Sequence, residues 1–93
     1  MEINKMLSLS TAHVSEKTAH IMENFNIDNV VIYDKPGYGW FVCVPDKLEL
    51  EECQDICPDD LYACLVFARD NDCSWIMFDM DVEPIDELAV YER

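Results

Sequence analysis

The sequence predicts a single α+β domain of the ferredoxin-like kind, with elements in the order β-α-β-β-α-β. Three observations carry that expectation. Two β-branched and aromatic runs flank Lys35-Pro36-Gly37, as in a hairpin. Apolar stripes at helical spacing lie before and after that hairpin, with a strand-like run outside each. A chain of 93 residues supplies one core, burying roughly 60–65% of the surface its unfolded form exposes. Two β-α-β crossovers sharing one antiparallel sheet give strand order 4-1-3-2, with both helices on one face and the other face solvated or docked on a partner. A three-stranded α+β variant is the competing architecture.

Each element follows from its residues. Met6–Leu9 alternates apolar and polar and forms the first strand, ending near Ser10-Thr11-Ala12-His13. Ser15 is a good helix N-cap, and Ala19, Ile21, Met22 and Phe25 follow as a buried stripe. That helix runs to about Asn24 and stops at Asn26. Asn29–Asp34 and Tyr38–Val44 are the hairpin strands; Pro36 presets φ and Gly37 accepts a positive one. Pro45 ends the hairpin, and Asp46–Cys57 is an acidic connection with one helical turn around Leu48–Cys53. Pro58-Asp59-Asp60 opens a second helix, its acids complementing the helix dipole. Leu61, Cys64, Leu65 and Ala68 form its buried stripe, and Asn71-Asp72 stops it. Cys73–Asp79 is the last strand, Glu83-Pro84 breaks it, and Ile85–Tyr91 is read as a short terminal helix. In this topology the first strand is an antiparallel neighbour of both the third and the fourth. Ser10–His13 then lies near Tyr38, Gly39 and Trp40 and near Ser74 and Trp75, with Asp79 and Asp81 at the opposite edge.

Half the chain is apolar, yet 20 acids face 6 bases for a net charge of −14. A disordered acidic tail would lack the apolar half, so the charge must clothe a real core. It is also uneven. Residues 1–45 hold five acids and three bases, whereas residues 46–93 hold fifteen acids and three bases. An anionic surface repels nucleic acid and anionic membranes and attracts basic partners. No apolar run approaches the ~20 residues that span a bilayer. The N-terminus lacks the basic-then-apolar layout of a signal peptide, so the expected location is cytoplasmic. Five cysteines, an odd number without an export signal, read as reduced structural thiols.

Three segments stand out: Ser10-Thr11-Ala12-His13, Tyr38-Gly39-Trp40-Phe41-Val42 with Pro45, and Trp75-Ile76-Met77-Phe78-Asp79-Met80-Asp81. Together the chain between Leu7 and Asp81 resembles a family of small, uncharacterised bacterial, phage and mobile-element proteins classed only as a domain of unknown function. Met80 stands where that pattern carries arginine, and the acidic stretch Glu49–Asp55 has no counterpart in it. The resemblance implies one compact domain in a mobile-element context and no particular activity.

Several constellations are candidates for chemistry. Asp79-Met80-Asp81 after an apolar strand resembles the aspartyl nucleophile motif of haloacid-dehalogenase-type phosphatases, but that chemistry needs a large α/β domain after the motif. Asp79, Asp81 and Glu83 could hold a divalent cation. Cys53 and Cys57 at i, i+4, with His13 or His20, form a loose zinc pattern, although Pro58 disfavours helical geometry there. His13 beside Ser10 and near a Tyr38–Trp40 turn is the alternative enzyme-like centre, with no evident oxyanion hole or orienting acid. Tyr33, Tyr38, Trp40, Tyr62 and Trp75 exceed what one sheet face requires, and exposed ones would mark a protein interface.

The expectation that follows is a non-catalytic acidic protein, without cofactor or metal, that docks on a basic protein such as a nucleic-acid-binding host protein or nuclease. Its partner-binding residues are Asp46, Glu49, Glu51, Glu52, Asp55, Asp59, Asp60, Asp79, Asp81 and Glu83, standing in for phosphates in the manner of anti-restriction and anti-CRISPR inhibitors. The competing class is a small enzyme or metal-dependent module centred on His13, with Ser10, Tyr38 and Trp40.

Overall fold

The structure, a computed structural model, describes residues 1–24 and 27–92. Four strands, β1 (Met6–Ser10), β2 (Val31–Lys35), β3 (Gly39–Cys43) and β4 (Trp75–Asp79), form one sheet. Three helices accompany it: α1 (Glu16–Glu23), α2 (Lys47–Cys53) and α3 (Asp59–Asp70). A 3-10 turn at Thr11–His13 follows β1.

The α+β class holds, but the strand order is β1-β4-β3-β2, not 4-1-3-2. β1 pairs with β4 alone, and in parallel, so the sheet is mixed. The side chains explain the order. β3 (Gly-Trp-Phe-Val-Cys) and β4 (Trp-Ile-Met-Phe-Asp) carry large apolar residues on both faces, which suits central strands. β1 alternates with serines and β2 ends in Asp34 and Lys35, and these lie at the edges. The parallel pairing also moves Asp79. It sits in register with Ser10 and Gly39, at the same end as the hairpin turn, and Trp75 pairs with Met6 at the other end.

The helix boundaries follow local chemistry. Ser15 caps α1 by accepting from the Thr18 N–H at 3.2 Å. Asp46 caps α2 by accepting from the Glu49 N–H at 2.9 Å, so the acidic connection is a helix of seven residues. Leu50 and Cys53 are its buried contribution. α3 opens after Pro58 and buries Leu61, Cys64, Leu65 and Ala68, and at its end the Arg69 guanidinium donates to the carbonyls of Val44 and Pro45. The expected stop of the first helix at Asn26, and Phe25 in its stripe, lie outside the described residues. No helix forms over Ile85–Tyr91; that segment runs irregularly back across the domain. No helix is long and apolar enough to cross a membrane among the described residues.

The two sheet faces differ. On one, Leu9, Phe78, Trp40, Ile76, Val42 and Ile32 are buried with the helix residues in a single core. Trp40, 6% exposed, meets Phe78 edge-on with centroids 6.4 Å apart. No described helix lies against the other face. In register across the strands it carries one row of Met6, Trp75, Cys43 and Val31 and a second of Ser8, Met77, Phe41 and Tyr33. A third row, Ser10, Asp79, Gly39 and Lys35, is polar.

Candidate functional site

The acidic residues do not form one surface. Some are spent inside the fold. Asp60 accepts from the Ser15 N–H at 2.6 Å and the Thr18 hydroxyl at 2.7 Å, tying the start of α3 to the start of α1. Asp79 is paired with Lys35 at 2.8 Å and also accepts from the Asp81 N–H at 2.8 Å. The Lys35 hydrogen bond, with that of Asp81, holds the Asp79 carboxyl below its ordinary value despite some burial. Both carboxylates are therefore engaged by the chain itself.

A different set faces outward. Asp46, Glu49, Glu52 and Asp55 recur every three residues along α2 and its ends, with Glu51 and Asp59 beside them, all exposed. Side chains three apart on a helix stand about 5–6 Å from each other. Ion pairs among the described residues are Lys35–Asp79 and the exposed His20–Glu23 pair at 3.7 Å, so this row has no base in ion-pair contact. Asp81 and Glu83 are also exposed, on the segment after β4.

Beside the row lies a groove of 590 Å³ between the start of α1 and residues 55–60. Ile21, Ile27, Ile56, Pro58 and Tyr91 give it apolar walls, while Asp55, Asp59 and Lys17 stand among its lining residues. Such a shape suits a long side chain with an aliphatic stem and a cationic head.

The alternative centre is brought together only in part. Ser10, Gly39 and the hairpin turn do share one end of the sheet, but Trp40 is in the core and Tyr38 is exposed beside Lys35, whose ammonium lies 4.3 Å from its ring centroid. The Ser10 hydroxyl accepts from the Ala12 N–H. His13 is 1% exposed, and its Nε2 accepts from the Ile85 N–H at 3.0 Å. The proton is therefore on Nδ1, which donates to the Ala89 carbonyl at 2.9 Å. Together with the Tyr91 N–H donating to the Ala12 carbonyl, this straps residues 85–91 onto the turn after β1. With both ring nitrogens committed to backbone, His13 holds the chain rather than a substrate. His13→Ala is expected to orphan Ile85 N–H and Ala89 C=O and to cost about 2–4 kcal/mol. Amide exchange should then quicken first at Ile85 and Tyr91; unchanged protection there would contradict this role.

All five cysteines are free, four of them buried and Cys43 half-buried. Burial raises the thiols of Cys57 and Cys64 to about 12, with neighbouring thiols and acids adding. Neutral at pH 7, they are poor nucleophiles. Among the described residues no group of three His, Cys, Asp or Glu is disposed to hold a metal ion.

Three features of this surface were not read from sequence: the internal use of Asp60, the Lys35–Asp79 pair, and the strap. Only Asp60 left a local trace. An acid in the first turn of a helix is suited to accept backbone N–H groups, and here it also reaches a second helix.

No curated protein and no solved structure matches the chain. Residues 6–93, which include every strand and helix described above, match the model of a family of unknown function (DUF5983), C-terminal domain, and the chain belongs to that family.

Proposed function

We propose that the protein is a non-catalytic acidic binding protein that docks on a basic protein surface, its carboxylates occupying sites that would otherwise take the phosphates of a nucleic acid. One observation carries this reading: the outward row Asp46, Glu49, Glu52 and Asp55, with Glu51 and Asp59, has no basic neighbour in ion-pair range among the described residues. Holding like charges three and four apart on a helix costs a few tenths of a kcal/mol per pair, which a cationic partner would offset. The adjoining groove gives an arginine or lysine stem somewhere to lie. The sharper form of the reading is an inhibitor of phage or mobile-element origin acting on a host nuclease.

The test uses Glu49→Lys, Glu51→Lys, Glu52→Lys and Asp55→Lys together, leaving Asp46 and Asp60 in place because they hold the fold. Wild type should capture a basic nucleic-acid-binding protein from host lysate, with recovery falling as salt rises and with DNA as a competitor. The reversed variant should capture none. Capture that survives reversal at about 150 mM salt would sink the proposal.

A further inference from the structure

We infer that the open face of the sheet is where two copies of this chain meet, in a weak face-to-face dimer separate from the acidic docking surface. In an open antiparallel sheet the solvated face normally alternates to polar side chains. Here Met6, Val31, Tyr33, Phe41, Met77 and Trp75 stand on it instead, and none packs against the core. Val31 and Tyr33 are 50% and 56% exposed, and the Tyr33 and Trp75 rings lie 6.1 Å apart across the intervening strand.

Charge selects the occupant. The chain has 20 acids, yet its two apolar rows contain no charged residue. Row three holds one acid and one base, paired with each other. A basic partner finds nothing to recognise on such a face, whereas a neutral apolar surface is complementary to itself. The acid row lies in the helix layer on the other side of the sheet. That layer is about 10 Å thick, more than a Debye length of about 8 Å at physiological salt. Copies can therefore pair without bringing most of their carboxylates together. Glu49 acts on Cys43, which stands in the first row of the open face. Burial raises the Cys43 thiol, Arg69 opposes that, and Glu49 adds to it. Some repulsion is left for salt to screen.

Area sets the strength. Four strands about 4.8 Å apart and five residues rising about 3.3 Å each give a plan area on the order of 300 Å². A standard interface takes about 800 Å² per partner. The dimer is thus a rapidly exchanging one.

Sedimentation velocity on the full chain, from about 10 µM to about 1 mM, tests the inference. Association should rise with protein concentration and strengthen as salt is raised, the opposite of docking on a basic partner. Val31→Thr with Tyr33→Thr keeps strand propensity on exposed positions, and should weaken association at least ~10-fold. Met6→Lys on the opposite edge strand should do the same, so the result does not depend on one variant folding. A wild-type monomer at every concentration, a dimer indifferent to these substitutions, or one that salt dissociates would each overturn the inference. Because the quadruple charge reversal leaves this face intact, loss of partner capture and loss of self-association are separable.

Discussion

Gly39→Ala is expected to leave little folded protein. Gly39 begins β3 opposite Asp79, with φ at +156°, and its α-carbon lies directly against the backbone of β4. A β-carbon built there overlaps the Phe78 carbonyl oxygen and lies 2.8 Å from the Phe78 carbonyl carbon. Neither atom can rotate away, because both belong to the backbone of the central strand. Overpacking against a yielding side chain costs about 1–3 kcal/mol, and backbone strain adds about 1–3 more. Together these give a lower bound of about 2–6 kcal/mol, because the backbone of β4 cannot yield as a side chain does, and a domain typically has only about 5–15 kcal/mol to lose. Gly37→Ala is the control. Gly37 has φ of +80° in the adjoining turn but nothing within 4 Å of the new methyl, so it should cost only about 1–2 kcal/mol. Urea denaturation of both variants checks the order. Equal losses would mean that turn conformation, rather than the close approach of β3 to β4, governs this end of the sheet.

The strand order that creates this approach is not encoded locally. The hairpin, the Ser15 cap, the helix after Pro58 and the apolar last strand were all legible, because each depends on residues close in sequence. Strand order depends on which strands share neighbours, and a familiar element order pointed to the wrong one. The discriminating signal was present in composition. Trp75, Ile76, Met77 and Phe78 leave no polar face, which an edge strand could not tolerate, whereas Ser8 and Ser10 suit β1 to an edge. Apolar side chains on both faces of Trp75–Asp79 place β4 between β1 and β3.

The acidic surface was legible as composition but not as geometry. Asp46 through Asp55 could be placed on an exposed helix once Asp46 was recognised as its cap, and only a single turn was expected. Asp60 and Asp79 looked no different from their neighbours in sequence. What distinguishes them is contact with Ser15, Thr18 and Lys35, residues 42 to 45 positions away. His13 shows the same limit. A histidine after two hydroxyls resembles a catalytic base until Ile85 and Ala89, more than seventy residues on, are found on its two nitrogens.

The fold should be lost steeply on the alkaline side, and the thiols under the acidic helices are the reason. Cys57 and Cys64 have an ordinary value of 9.0 and are pushed up to about 12 in the folded chain. Burial is the main cause, followed by Cys53, Asp60 and Asp59 for Cys57 and by Asp60 and Cys57 for Cys64. Below pH 9 both thiols keep their protons in folded and unfolded chains alike, and their burial stabilises in full. Above it the unfolded chain releases protons that the folded chain retains, so stability falls until the pH reaches the folded value near 12. Each thiol contributes a slope of up to about 1.4 kcal/mol per pH unit. Urea titrations at about pH 8, 9.5 and 11 should show this decline, and Cys57→Ala with Cys64→Ala should flatten it. A parallel decline in wild type and variant would exclude the thiols as its source. A flattened curve would assign the alkaline loss to these two thiols, whose protons are retained chiefly through burial, with the neighbouring acids adding to it.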